Sequence, residues 1–552
     1  MATLFPSRHQ FASAGTANQL GGEQNQVAGN ATPGGAAGGP GASPLSGGVV
    51  PGQSGSGPVA EPTADTTHCV KGREWDPAIA YWAPPCTAGT IGARYPNNGG
   101  ATSMGVTADT ITLVDYDDGA GPLTDDQIKA VDRAWETFIN THYVLYGRKV
   151  KIITWQAKAD QFNSQSLLAE MDQIVATDHP FGFYWSTTLC KECYAELASK
   201  GVVTIGSRGS SDALANELAP YFYSAQESST RIETAFAQWW CSQMSSANAP
   251  GRTVKWAGHQ NPAQNFNGRP RVLGIITPNP PDNQDTVRNY LVPLLQKLCG
   301  ENVNHYYFYA QDVSTAAQQV AAGIAAMDTA NNPATDVLCL CDITAPTYLF
   351  SGEQANNYWP ENLIADSTGM GWDASARGTY EDKHGQPSQG CATPGQGCEY
   401  DMVMGVMADG PQAGGNASEG FAIFHAGGGQ DPAPPYPMDV TNDAFNFTML
   451  ANLIENCGPM LTPANMQARA PLMPAVGGGA SGRPLLQFAR GDWQWTQDAR
   501  IVYWDKYAPS TYDSPPEFGT MVQVGPRYSL SGYPAAVDGP PVPTTGRTGP
   551  GK

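Results

Sequence analysis

The chain has 552 residues, only 14% of them charged, and carries a formal net charge of −20. An acidic surface of this size excludes nucleic acid and an anionic membrane face as partners, and the length allows two to four domains. The 62 Gly and 45 Pro assign much of the chain to loop or linker, while 13 Trp, 23 Tyr and 17 Phe are enough for a large core.

Residues 1–60 hold 14 Gly and two charged residues besides His9, a flexible low-complexity tether. The first fifteen residues lack the apolar centre of a signal peptide. Taken literally this reads as cytoplasmic; the alternatives are a misassigned start or a removed leader. No stretch of 18 or more apolar residues occurs, hence no spanning helix is expected. Residues 61–104 read as irregular chain packed on the lobe that follows.

The organising stretch is 105–119, GVTADTITLVDYDDG. Ile111, Leu113 and Val114 make a short branched apolar run, a buried strand. It stops in the polar turn at Asp115, Tyr116, Asp117 and Asp118. Thr124 and Gln127 then form a capping box, and Ile128, Val131, Trp135, Phe138 and Ile139 fall on one helical face. The strand–helix rhythm repeats: strands at 150–155, 181–185 and 202–206, and helices opened by Asn163 or Ser164 and by Ser186–Thr188. A long helix at 227–244 carries Ile232, Phe236 and Trp240 on one face. After a loop at 245–270 the rhythm restarts, with strands at 271–277, 306–309, 336–341 and 362–366 and a helix at 284–298 kinked by Pro293. A Gly- and Pro-rich insertion, 372–437, contains a strand at 402–407. A helix at 443–455 and a strand at 500–504 follow, and the composition beyond about 528 reads as a disordered tail. Strands alternating with helices mean parallel sheets covered on both faces. The fold class is α/β, with two Rossmann-like lobes.

Eleven cysteines leave at least one thiol unpaired or intermolecular. Cys391 and Cys398 lie in a Gly-rich loop and Cys69 and Cys86 in irregular chain; both pairs read as disulfides. Cys339 and Cys341 share a strand face, which reads as two buried thiols. Cys190 and Cys193 form a C-x-x-C at a helix N-terminus, where a thiolate is stabilised. The tryptophan of the redox signature is missing, so a structural bridge, or a link to Cys241, is the leading reading. A thiol oxidoreductase is the alternative. The partners of Cys299 and Cys457 are not readable. The eight His show no zinc spacing, and no nucleophile elbow occurs. The chain reads as a non-enzyme without cofactor or metal.

Several stretches resemble one family. Cys69 to Cys86, ending YWAPPC, with GGATSMGVTADTITLVDY at 99–116, LTPANMQARA at 461–470 and DARIVYWDKYAPSTYD at 498–513, is similar to the type I periplasmic-binding-protein family. The nearest likeness is its branched-chain-amino-acid-binding (Leu/Ile/Val) branch in actinobacterial form, over about residues 69–528. The resemblance implies a Venus-flytrap receptor, secreted or lipid-anchored. It traps an amino-acid-like or amide solute between two lobes and hands it to an ABC permease. A ligand-sensing receptor subunit is the second reading within binding.

The domains then run 1–68 (tether), 69–240 (first lobe, with late return segments), 271–440 (second lobe, with insertion 372–437), 441–528 (helix and strand returning between lobes) and 529–552 (tail). The resemblance places ligand carboxylate donors in the loop with Ser186, Thr187 and Thr188 and in the loop with Ser207, Arg208 and Ser210. A helix N-terminus offers free N–H donors there, and Arg208 suits a bidentate acid. Helix capping alone explains one hydroxyl of the first loop, and a solvated arginine explains Arg208. Tyr116 and Asp117 match a loop whose aromatic covers the ligand. On the second lobe the counterparts are Asn279 and Asp282, Asp342 and Thr344, and Ser367 and Thr368, with Asp342 or Asp366 for an ammonium group.

Overall fold

The computed structural model describes residues 65–117, 123–160, 163–184, 190–206, 210–254, 266, 268–279, 286–310, 315–341, 345–356, 358–365, 403–407, 418–430, 437–479, 483–509 and 518–530. The first lobe is built on β1 (Thr110–Asp117), α1 (Asp125–His142), β2 (Lys149–Gln156), α2 (Ser164–Asp178), β3 (Gly182–Tyr184), α3 (Lys191–Ser199), β4 (Val203–Ile205), α4 (Asp212–Glu217) and β5 (Phe222–Tyr223). Its five strands are parallel, in the order β2-β1-β3-β4-β5. Leu113 and Val114 point to opposite faces of β1 and both are fully buried, as a strand covered on two sides requires. The expected capping box opens α1: Thr124 Oγ1 accepts from Gln127 N, and Thr124 N donates to Gln127 Oε1 at 2.8 Å. Asn163 caps α2.

The irregular segment 65–104 packs on this lobe. Trp75 and Trp82 are buried in its core, and Trp82 Nε1 donates to Thr448 Oγ1 at 2.9 Å. Arg148 fastens the segment further, donating to the carbonyls of Asn98, Gly100 and Pro459.

The second lobe holds α5 (Ser229–Trp239), β6 (Leu273–Pro278), α6 (Val292–Cys299), β7 (His305–Tyr309), α7 (Ala316–Met327), β8 (Asp336–Cys339), α8 (Ala345–Asn356), β9 (Glu361–Ala365), β10 (Val403–Met407), β11 (Asp498–Pro509) and β12 (Phe518–Ser529). The seven-stranded sheet runs β12-β11-β10-β9-β8-β6-β7; β11 and β12 are antiparallel additions to a parallel set. Residues alternate between its two faces. Ile275, Leu338, Leu363 and Ile501 pack with α5 and α6, whereas Ile276, Val337, Ile364 and Val502 pack with α7 and α8. The kink expected at Pro293 takes a definite form. Proline has no N–H to donate, and the turn before it, Thr286–Leu291, is wound as a π-helix.

Three crossovers join the lobes. The first leaves β5 at Tyr223 and enters α5. The second leaves β10 and rejoins the first lobe at α9 (Glu419–Ala426) and α10 (Pro437–Asn456). The third follows Gln497 into β11. The packing moves the boundaries read from the sequence at 240 and 440. Ile232, Phe236 and Trp240 pack against Leu273 and Ile275, so α5 belongs to the second core. Phe424 and Phe447 pack on Trp135, with ring centroids 6.4 and 6.1 Å away, so α9 and α10 belong to the first. An amphipathic pattern says that a helix buries one face, not which sheet receives it.

Candidate functional site

All three crossovers border the carboxyl ends of the parallel strands. β5 ends where the first begins, and β10 ends where the second begins. Arg500, near the start of antiparallel β11, pairs with Met407 at the end of β10. The carboxyl ends of the parallel strands of both sheets therefore border the crossovers. In open parallel sheets this edge is the ligand-binding edge.

At the end of β1, Tyr116 is 1% exposed, and its hydroxyl donates to Glu170 Oε2 on α2 at 2.8 Å. Glu170 also accepts from Trp155 Nε1 (3.0 Å) and from the backbone N–H of Lys158 (2.8 Å) and Ala159 (3.0 Å). Burial works against its charge, but these donors prevail and hold its carboxyl below the usual range. The ring expected to cover a ligand thus lies in the first core, with its hydroxyl on this carboxylate.

Asp115 and Asp117 point to the opposite face of β1, toward α1 and α10, and both are buried. Asp132 of α1 lies under them. It accepts from Tyr184 Oη at 2.6 Å and from Thr154 Oγ1. Asp443 of α10 is nearby, accepting from Trp135 Nε1 at 2.6 Å. Burial, reinforced by Asp132, Asp443 and Asp117, pushes Asp115 well above the ordinary carboxylate range. Burial raises Asp132 to about 6 in spite of its two hydroxyl donors. Burial and the neighbouring carboxylates thus favour the protonated form of Asp115 beside Asp132. Sequence reasoning missed Asp132, although a carboxylate among Ile128, Val131 and Trp135 on an apolar helical face was a visible signal.

Ser210 is buried beside the first crossover. Its carbonyl accepts from Ser229 N (3.3 Å) and Gln494 Nε2 (3.5 Å), which ties the loop after β4 to two crossovers. Arg231 of α5 reaches back to the first lobe. Its Nε donates to Asp212 Oδ2 at 3.0 Å, and Nη1 donates to Gln497 Oε1 at 3.1 Å and to Asp492. Asn279 follows β6 and is exposed; its N–H donates to the carbonyl of Tyr309 at 2.6 Å. Ser186, Thr187, Thr188, Ser207, Arg208, Asp282, Asp342, Thr344, Asp366, Ser367 and Thr368 lie outside the described residues, as do Cys391 and Cys398.

Cys69 and Cys86 are bridged as expected, with Cα atoms 5.7 Å apart. Cys190 pairs with Cys193, which is fully buried in the first core, and Cys241 pairs with Cys299 across the ends of two helices. The expectation of free thiols at Cys339 and Cys341 is corrected, since the two are bridged. β8 ends at Cys339, and the Cα atoms are 5.0 Å apart, against ~6.7 Å for residues two apart in extended chain. The backbone has already bent, and the same-face geometry that argued against a bridge no longer holds. Cys457 is the free cysteine among the described residues; burial pushes its thiol up to about 12, so it is inert.

No family model matches the chain, and no curated protein does. Solved structures do. A fatty acid ABC transporter substrate-binding protein from Thermomonospora curvata is 14% identical, with a TM-score of 0.52 over 80% of this chain and 98% of its own. A branched chain amino acid ABC transporter from Thermus thermophilus with bound valine is 12% identical, TM-score 0.50, over 76% and 97%. A leucine-, isoleucine-, valine-, threonine- and alanine-binding protein from Brucella ovis is 11% identical, TM-score 0.50, over 78% and 97%. These are binding proteins, and none lends support to a thiol oxidoreductase at Cys190 and Cys193. With two parallel-sheet lobes, three crossovers and these neighbours, the chain has the two-lobed fold of the type I periplasmic binding proteins.

Proposed function

We propose that the chain is an extracytoplasmic solute-binding protein of an ABC transporter, without catalytic activity, trapping a small ligand between its lobes. One observation carries this reading: the carboxyl ends of the parallel strands of both sheets border the crossovers, where a hinged pair of lobes closes on a solute. The bridged cysteines fit an oxidising compartment, and no described helix is long and apolar enough to cross a membrane. The ligand is amino-acid-like or amide in character. Its carboxylate is held by Ser186, Thr187, Thr188, Ser207, Arg208 and Ser210 on the first lobe, and its other end by Asp342, Thr344, Ser367 and Thr368 on the second.

The test is a thermal-shift screen of the whole chain against amino acids, amides, short diacids, aromatic acids and fatty acids. A ligand that binds only the folded form raises the melting temperature. Amino acids or amides should do so, and Ser186→Ala should weaken the hit by about 1 kcal/mol. A shift with fatty acids alone would refute the ligand class. No shift with any class would refute the binding role.

A further inference from the structure

On the face of the first lobe away from the crossovers, four potential ligand atoms converge. His68 Nε2, Cys69 Sγ, a Glu74 carboxylate oxygen and Cys86 Sγ all lie within 4.8 Å of one another. His68 Nε2 is 3.0 Å from Glu74 Oε1 and 3.4 Å from Cys69 Sγ. Four such donors at zinc bond lengths of ~2.0–2.3 Å make a tetrahedron with edges of ~3.3–3.8 Å. The nitrogen–sulfur edge already has that length, and the nitrogen–oxygen edge is close to it. The sulfur–sulfur edge is the exception, because Cys69 and Cys86 are bridged.

The carboxylate is held from behind. Glu74 is 1% exposed, and its Oε2 accepts from Thr87 N at 2.8 Å. Its Oε1 accepts from Val144 N at 3.2 Å, the same N–H that donates to buried Glu455 Oε1 at 2.8 Å. Two buried carboxylates thus share one amide, and His68 stands opposite Glu74. His68 Nδ1 is buried without a hydrogen-bond partner. The site therefore has a fixed carboxylate and an imidazole in place before any metal arrives.

We propose that His68, Cys69, Glu74 and Cys86 form a zinc-class site in the reduced chain, and that the metal and the disulfide are mutually exclusive states of it. A dithiol reductant transfers two electrons and two protons to the bridge and closes to its own disulfide, leaving two thiols. A divalent cation then binds both sulfurs as thiolates and releases the two protons to solvent. Two thiolates, one imidazole and one carboxylate suit Zn²⁺ or Cd²⁺ and not Mg²⁺.

The full chain is reduced with a dithiol, freed of it under argon, and given one equivalent of Zn²⁺, of Mg²⁺ or of neither. Brief iodoacetamide treatment is then read at each cysteine by peptide mass spectrometry. Zn²⁺ should slow alkylation of Cys69 and Cys86 at least tenfold, Mg²⁺ should not, and His68→Ala should lose the protection. Equal alkylation with and without Zn²⁺ in the unaltered chain would overturn the site. So would equal protection by Mg²⁺, or full protection in a folded His68→Ala variant. The Zn²⁺ and Mg²⁺ arms need no variant, so the test stands even if His68→Ala fails to fold.

Discussion

Asp132 sits where an amphipathic helix should present a hydrocarbon, and Asp115 directly follows the apolar Leu113 and Val114 of its strand. The sign of their effect on stability follows from the direction of their shifts. Both carboxyls are raised above their unfolded values. Their contribution is therefore full below about pH 4, the unfolded carboxylate range, and is lost as pH rises through about 6 and beyond. Asp115→Asn keeps a donor facing Asp132 and removes one buried titratable group. Urea unfolding between pH 5 and pH 8 should show a flatter decline in this variant than in the unaltered chain, by on the order of 1–3 kcal/mol across the window. Parallel pH profiles would show that the pair does not titrate as described. The sequence could carry the hydroxyls and carboxylates around β1 but not their partners. Tyr116 reads as a ligand cover because it follows a strand, and only the placement of α2 reveals that Glu170 takes its hydroxyl.

At the scale of elements, the starts of three adjacent strands are tied by one buried cation. Arg271 precedes β6, Asp336 opens β8 and Glu361 opens β9, and the guanidinium of Arg271 donates to both carboxylates. Thr335 Oγ1 supports Asp336 Oδ2 at 2.7 Å. Removing one partner strands two carboxylates in the core, so Arg271→Ala should cost about 3–5 kcal/mol, read as a lower denaturation midpoint. A loss under about 1 kcal/mol would mean that water already reaches the triad. Replacing all three by apolar residues of similar volume should cost far less. Most strands and helices were legible because each has a local cause. Thr124 and Gln127 announce α1, Asn163 announces α2, and the restarted strand–helix rhythm announces β6 to β9. The bridge between Cys339 and Cys341 was not, because the end of a strand depends on what the chain meets next.

For the whole molecule, the hinge is where the sequence was least legible. Ile232, Phe236 and Trp240 announce a half-buried helix, yet nothing in them says that α5 crosses to the other sheet. Arg231, on that helix, binds Asp212, Asp492 and Gln497 of the first lobe and so spans the hinge. Asp492 is 7% exposed in its side chain. Arg231→Met should therefore destabilise the protein by about 2–4 kcal/mol and widen the spread of interlobe angles. Small-angle scattering checks the second effect; a profile that superposes on that of the unaltered chain would confine Arg231 to stability. The strand ends that precede the candidate loops were legible, because the strand–helix rhythm marks them and parallel topology sends them to the crossover edge. How two lobes built from interleaved segments meet is something no local pattern encodes.

That interleaving also sets a clock on the ribosome. β1 begins at Thr110 and α10, which covers Trp135 on the same lobe, begins at Pro437. About 330 residues separate them. At ~5–20 residues per second the nascent first lobe waits roughly 15–65 s for the helix that closes it. Over that time Trp135 and Phe138 have emerged, but Phe424 and Phe447 have not. The half-made lobe is thus a natural client for a holding chaperone. Chains stopped after Met407 should be captured by one and complete chains released, because the first lobe is finished only by the segments made after the second crossover, up to Trp495.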